Sequence, residues 1–524
     1  MSYKVCITTA GTGSRLGALT RYLNKSLVGI ANRPTICHLI DRFPADTKFV
    51  IALGHKGNLV QEFLEIAYPE RYFDYAQVNP YEGEGSGLGL SLLACKQYLQ
   101  EPFIFISCDT LVDEFIPTPD KNWMACADHQ NLDPYRTLEI KSDHVVHIHE
   151  KRQGKSPGCM PYIGLAGIAD YEVFWSAMES GGKKAIETGE VHGLRAMLPN
   201  GIQAKSFTWH DTGNIEALNK AREFYCEQDG PNILEKENEA IWFIGNHVIK
   251  FSDDKKFIAN RVERAKKLDG FVPKITGSGE NMYRYNKVNG RVFSDVVNLP
   301  LFEKLLEHSV QFWKIQSLDE HERISFNSLC KSFYREKTYE RVELFYKNFL
   351  KKDGMESING IEMPVLSDLL DEVDWDWISY GLPGRFHGDF HFENILWTPS
   401  NQSFTLLDWR QDFGGDISVG DIYYDFAKLL HGLIISHELI SKDLYSVNWT
   451  NSEINYDFLR KQVLIECEIY FNRWLESNGY DVNKVQIMAA LIYLNIAALH
   501  HHPYNLLLFG LGKSMLYKNL RVNL

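Results

Sequence analysis

The sequence predicts an α/β protein in which a doubly wound, mainly parallel sheet is followed by a second, α+β unit. Three observations predict it. Short apolar runs alternate with amphipathic helical stretches in the N-terminal part of the chain, and that alternation breaks around Asp229, Gly230 and Pro231. Beyond residue 299 the apolar spacing is mostly that of helices. A chain of 524 residues is also too long for one ordinary core, so two or three cores are expected.

The run 4–9 is β-type, and Ala10-Gly11-Thr12-Gly13-Ser14-Arg15 turns from it towards a polar, helix-compatible segment. Similar apolar runs recur at 49–54, 103–108 and 164–168, with helical spacing at 59–67 and 88–99 between them. A boundary is expected at 228/229, inside the break at 226–233, giving domains 1–228 and 229–524. The runs 240–250 and 282–292 read as strands of a smaller lobe over about 232–298, with a helical lobe over about 299–524. The longest apolar run, 487–499, is interrupted by Tyr493 and Asn495 and is too short to span a bilayer, so it reads as a buried helix. His500, His501 and His502 follow it consecutively, a spacing that suits a helix end better than a metal site.

Composition excludes several functions. A formal charge of −13 without any long Lys/Arg run argues against a nucleic-acid or anionic-membrane surface. Nine cysteines without a CxxC pair, and no signal-peptide pattern, predict reduced thiols in a cytoplasmic protein.

Chemistry concentrates in two places. In the C-terminal half, HGDFHFENIL spans 387–396 and LLDW spans 406–409. Asp and Asn often serve singly as turn caps, but phosphoryl transfer needs these types in this order. Asp389 accepts or orients the proton of an attacking hydroxyl, and Asn394 and Asp408 hold the magnesium ions that bridge nucleotide phosphates. His387, Gly388, Asp389, Asn394 and Asp408 resemble the aminoglycoside phosphotransferase and choline kinase family, a branch of the bilobal protein-kinase-like fold. Gly388 replaces the Arg, and Trp409-Arg410 the Phe-Gly, of protein kinases, so the acceptor implied is a small molecule. Such enzymes need a strand lysine for the nucleotide phosphates and a helix carboxylate to position it, roles suited to Lys250 in HVIKF and Glu263 in NRVERAKKL. Glu263 also reads as an ordinary helix-surface acid. Asp421 and Asp425 in GDIYYD read as braces for the catalytic loop. Arg410 beside Asp408 would repel a quaternary ammonium if it faced the acceptor, which favours a neutral or anionic polyol, sugar or sugar acid over choline.

The N-terminal motif is weaker alone, since a Gly-rich loop after a strand is either a tight turn or a phosphate cradle. Its company is more specific: Lys25 in NKSL, Asp109 ending FIFISCDT and Asp211 in WHDTGN. Together these resemble the nucleotidyltransferases of Rossmann-like fold that join a nucleoside triphosphate to a sugar or alcohol phosphate. The resemblance implies that Ala10, Gly11 and Gly13 line the nucleotide, Arg15 and Lys25 neutralise the triphosphate, and Asp109 and Asp211 ligate magnesium. Asp211 reads equally as the N-cap of a helix over 215–222. Lys151 in HEK is either an acceptor-phosphate contact or a solvated surface lysine. Asn24 stands where sugar nucleotidyltransferases commonly have proline, and Lys25-Ser26-Leu27 is more similar to phosphocholine cytidylyltransferases, which favours CTP, with UTP the alternative.

The combined expectation is a bifunctional enzyme that phosphorylates a small alcohol with ATP and couples the product to a nucleotide, with magnesium in both steps. Family resemblance places such products in surface polysaccharide or lipid precursor synthesis. Partners are the alcohol, its phosphate and nucleoside triphosphates; homo-oligomers are compatible with the sequence, and nucleic acid and membrane insertion are not. The alternatives are a choline kinase/phosphocholine cytidylyltransferase, a sugar kinase/uridylyltransferase, or a chain with one half reduced to a nucleotide-binding regulatory module.

Overall fold

The opening apolar run forms the strand Lys4–Thr8, which takes a central place in a nine-stranded sheet. In the computed structural model, which describes residues 2–154, 158–225 and 237–521, that strand pairs in parallel with Lys48–Leu53 and Phe103–Ser107. Phe73–Gln77 extends the parallel part at one edge. On the other side Cys159–Ile168 runs antiparallel to Phe103–Ser107, and Trp123–Cys126, Gln203–Ser206, His144–His149 and Thr137–Lys141 follow outwards.

Alternation along each strand divides the side chains between two cores. Val5, Ile7, Ile104 and Ile106 enter one, while Cys6, Phe103 and Phe105 enter the other. Burial on both faces explains why these strands read as continuous apolar runs rather than as alternating ones. Gly57–Ala67 is the helix expected at 59–67. The stretch 88–99 divides into the helix Leu88–Cys95 and a 3₁₀ turn, Lys96–Tyr98.

The run 240–250 is a hairpin, Glu239–Ile244 with His247–Ser252, turning through Gly245 at φ 55° and Asn246. With Met282–Asn286 and Ile275–Ser278 it makes a four-stranded antiparallel sheet. These strands, expected to open the second domain, pack onto the first compact unit, Met1–Ile258 with Ile275–Lys287. The physical reason is local: Trp242 is buried edge-on against Phe63, Glu62 accepts from the Asn281 amide at 2.7 Å, and Arg284 reaches the Ile66 carbonyl. The expected boundary at 228/229 lies outside the described residues.

The second unit, Ala259–Lys274 with Val288–Leu524, is mainly helical. Helix Val482–Ala497 carries most of the long apolar run and is buried along its length. A four-stranded sheet formed from Glu356–Ile358, Ile361–Met363, Tyr445–Thr450 and Glu453–Phe458 interrupts the helices. No helix of the described residues is long and apolar enough to cross a membrane, and the described cysteines are buried and unbridged.

Two candidate active sites

In the first unit, the site is assembled at the end of the central strands. Asp109 follows the Phe103–Ser107 strand, and a two-stranded ribbon then pairs Thr110 with Asp211. That register carries Asp211 to Asp109 across 102 residues of chain (211 minus 109). Asp211 Oδ1, Asp109 Oδ2 and Arg15 Nη2 lie 3.0, 3.2 and 3.3 Å from the point where a Cβ on Gly213 would sit, so all three converge on one spot. Lys25 Nζ lies 3.2 Å from Asp109 Oδ2, and the Ser107 hydroxyl donates to Asp109 Oδ1 at 2.5 Å.

The electrostatics follow from burial against charge. Burial would raise the Asp109 carboxyl, but Lys25 and Ser107 bring it down to about 2. Burial likewise would discharge Lys25, and Asp109 outweighs it, leaving the ammonium protonated. Arg15 acts to lower the Asp211 carboxyl, but burial with the neighbouring Asp109 charge outweighs it and raises the carboxyl. The Gly213 amide donates to Asp211 Oδ1 at 2.8 Å and the Tyr135 hydroxyl reaches Oδ2 at 3.4 Å.

The loop after the first strand is shaped by the same groups. Gly13 sits at φ 67°, and a Cβ there would meet the Lys25 Cβ at 2.8 Å, so only glycine lets the loop close over the lysine. Gly11 is exposed, and Ala10 is buried with its carbonyl accepting from the His55 amide. Asn24, read from the sequence only as a departure from proline, is fully buried. Its Nδ2 donates to the Thr9 and His55 carbonyls at 2.9 and 2.6 Å, and its Oδ1 accepts from Ser26, which ties Lys25 to the strand end. Lys151 is exposed in the turn after His144–His149, beside Glu150, which Arg136 and Arg195 clasp at 2.9 and 2.7 Å. Glu190, absent from the sequence reading, is buried and its carboxyl is pushed up to about 7 by that burial.

In the second unit the motif 387–396 forms a loop held from below by one carboxylate. Asp425 accepts from the His387 and Gly388 amides at 2.7 Å each and from Trp313 Nε1 at 3.0 Å. Asp421 caps Tyr423 and accepts from the Leu382 amide and the Tyr334 hydroxyl. His387 is buried and kept neutral, pushed down to about 3 by burial. Its Nδ1 accepts from the Asp389 amide, so Nε2 is the protonated nitrogen and donates to the Leu407 carbonyl at 2.8 Å. Gly388 needs its φ of 88°, and a Cβ there would collide with Arg410.

Asp389 is the hub. Lys428 Nζ lies 2.8 Å from Oδ1, His391 Nε2 lies 3.4 Å from Oδ2, and Asn394 Nδ2 donates to Oδ2 at 3.1 Å. Burial acts to raise the carboxyl, but Lys428 and His391 hold it well below the usual range. With Nδ2 committed, Oδ1 is the acceptor atom that Asn394 has left to offer. Asp408, at φ 58°, is ion-paired with Arg261, which shares the helix Lys255–Lys267 with Glu263. Glu263 lies on that helix's exposed side and pairs with Lys266 at 2.8 Å. Lys250 lies mid-strand in His247–Ser252, opposite Ile241 and Tyr283. Sequence reasoning missed Lys428, although its spacing of three from Asp425 puts both on one helix face.

Comparison with known proteins agrees with this division. Residues 348–440, which include Asp389, Asn394, Asp408 and Lys428, match the phosphotransferase enzyme family. The N-terminal half is similar to the bifunctional protein GlmU of Methanocaldococcus jannaschii, 21% identical over 257 residues, or 47% of this chain and 59% of that protein. The GlmU of Methanococcus maripaludis is 20% identical over 265 residues with the same coverage. The chain thus spans about 59% of the length of the curated relatives it matches. Among solved structures, CTP:phosphocholine cytidylyltransferase from Streptococcus pneumoniae is 15% identical, covering 43% of this chain and 99% of that one at a TM-score of 0.37. UDP-glucose pyrophosphorylase from Acinetobacter baumannii is 16% identical, covering 43% and 93% at a TM-score of 0.36. The C-terminal half therefore contains a segment that matches the phosphotransferase enzyme family, and the N-terminal half is similar to the two GlmU proteins.

Proposed function

We propose that the chain is a bifunctional enzyme whose C-terminal half, 229–524, phosphorylates a small alcohol with ATP and whose N-terminal half, 1–228, transfers CMP from CTP to the product. The observation that carries the reading is a pair of separate carboxylate centres, each matched to a largely buried lysine: Asp109 with Lys25 and Asp389 with Lys428. Nucleotidyl transfer brings two phosphate anions together and the kinase step spreads negative charge over the transferred phosphoryl, so each needs cations and magnesium-ligating carboxylates at the reacting phosphates.

In the kinase step the acceptor oxygen bonds to the γ-phosphorus as the bond to ADP breaks, and the hydroxyl proton leaves by way of Asp389. Held ionised by its two cations, Asp389 is a weak base, so its main work is to orient the hydroxyl. In the second step the new phosphate attacks the α-phosphorus of CTP and pyrophosphate leaves. Arg15 and Lys25 offset the negative charge there, the loop at Ala10, Gly11 and Gly13 lines the nucleotide, and Lys151 contacts the acceptor phosphate.

The donor sets suit magnesium: Asp109 and Asp211 offer converging carboxylate oxygens, and Asn394 and Asp408 offer one amide and one carboxylate oxygen. When bound, the ion neutralises phosphate charge in both reactions. Lys25-Ser26-Leu27 supports cytidine, and substrates of this kind place the enzyme in the cytoplasm, supplying precursors for surface polysaccharide or lipid.

The test separates the halves. Asp389→Ala abolishes ATP-dependent phosphorylation and retains pyrophosphate release from CTP with a supplied phospho-acceptor; Asp109→Ala does the reverse. Loss of both activities in either folded variant sinks the division of labour.

A further inference from the structure

Beside Asp389 the second unit gathers more positive charge than its own carboxylates answer. Lys428 is paired with Asp389. Lys337 and Arg410 form no ion pair among the described residues, and the Arg410 Nε is buried without a hydrogen-bond partner. Both are held over one aromatic ring: Lys337 Nζ lies 4.4 Å and Arg410 Cζ 5.0 Å from the centroid of Phe333. Lys337 also lies 5.9 Å from the Tyr424 ring, and Phe333 packs edge-on against Tyr424 at 5.1 Å. Lys337, Phe333 and Tyr424 also border a small, largely apolar cavity of about 10 Å³, which Arg410 does not line and which is too small to hold an acceptor, so the charged ends rather than this cavity define the cluster.

The cluster borders the reacting group. The Arg410 amide donates to the His387 carbonyl at 2.9 Å, and the Arg410 side chain fills the space that a Cβ on Gly388 would take, one residue before Asp389. Two half-buried cations with no ion pair among the described residues are left with contacts to the Phe333 ring, and an anion that reaches both would offset their charge. Burial and the neighbouring Arg410 and Lys428 depress the Lys337 ammonium, which agrees with unanswered charge.

We infer that the alcohol phosphorylated at Asp389 carries its own anionic group, a carboxylate or a phosphate, seated by Lys337 and Arg410 beside the Phe333 and Tyr424 rings. This rests on the kinase reading above and narrows its substrate: neutral polyols lack the group that the cations hold, and amino alcohols are repelled. Phe333 and Tyr424 are thereby occupied by the protein's own cations rather than offered to a substrate ammonium.

The test measures ADP release by the full chain with magnesium and ATP over matched hydroxy acids, polyol monophosphates, neutral polyols and amino alcohols. An anionic acceptor should exceed its neutral counterpart by about 100-fold in kcat/KM, the scale of one or two charge-assisted hydrogen bonds. Lys337→Met should raise the KM of that acceptor ~10- to 100-fold with little change in kcat or in the KM for ATP, and Lys337→Arg should restore most of it. Activity with both hydroxy acids and monophosphates assigns the seat to negative charge in general; activity with one assigns it to that group. Preference for a neutral or cationic alcohol, or an unchanged KM in Lys337→Met, overturns the inference and leaves the kinase standing. Absence of ADP release with every acceptor overturns the kinase reading along with it.

Discussion

Replacing Lys25 by methionine removes the cation facing Asp109 and keeps most of the side chain's volume. The two groups are 3.2 Å apart and each side chain is only 18% exposed, so solvent screens them weakly. At an effective dielectric of about 20 the attraction at that distance is ~5 kcal/mol, and removing one partner of a buried pair costs ~3–5 kcal/mol. Residual exposure discounts this to about 3 kcal/mol at neutral pH. Without the lysine, burial acts on Asp109 with less opposition, and its carboxyl rises from about 2. The double variant Lys25→Met/Asp109→Asn leaves no orphaned charge and should recover about 2 kcal/mol of the summed single losses. Hydrogen-exchange mass spectrometry of peptides covering 103–112, in the full chain at neutral pH, reads the opening free energy of the strand that ends at this pair. A loss below about 1 kcal/mol in Lys25→Met, or strict additivity in the double variant, refutes the reasoning that Lys25 is the compensating charge.

Three further outcomes test the same physics. Asp425→Asn leaves one oxygen where two carboxylate oxygens accept three hydrogen bonds. It should cost about 2 kcal/mol in urea unfolding and lower the kinase kcat, with the KM for ATP unchanged. Asn24→Ala strands the buried Thr9 carbonyl and the half-buried His55 carbonyl and should cost about 2 kcal/mol while weakening nucleotidyl transfer and sparing phosphorylation. For Glu190, whose carboxyl is raised from 4.5 to about 7, the folded state holds its proton to higher pH than the unfolded state does, so its contribution to stability falls as pH climbs from 4.5 to 7. Glu190→Gln should therefore raise stability by up to about 3 kcal/mol at pH 8 and change little at pH 4; equal effects at the two pH values would exclude the linkage.

What the sequence disclosed, and what it withheld, follows the range of the interactions. The strand 4–8, the loop at Gly13 and the block from His387 to Asp408 were legible because local residue types determine them. Asp109 and Asp211 were legible as residues, but their meeting depends on the Thr110–Asp211 register between segments far apart in sequence, which carries no local signal. The turn at Gly245-Asn246 hid inside an apolar run because both flanking strands are apolar, so 240–250 looked continuous. On the helix Lys255–Lys267 the question was one of phase. Arg261 and Glu263 are two residues apart, about 200° around the axis, so when Arg261 turns to Asp408 its neighbour must face away, towards Lys266.

The two lysines that complete the sites illustrate the same limit and give the sites a shared logic. Lys25 follows its carboxylate's partner loop and was found through the company of its motif; Lys428 lies in a helix of a different segment from Asp389 and needed the fold to expose it. In each candidate site the lysine is paired with the carboxylate. A buried aspartate without such a partner would take up a proton or destabilise the fold, and neither state presents a negative oxygen to magnesium or a hydroxyl. The pairing thus keeps Asp109 and Asp389 ionised at neutral pH, and Lys337 and Arg410, which pair with no carboxylate among the described residues, are the charges that the proposed anionic acceptor would meet.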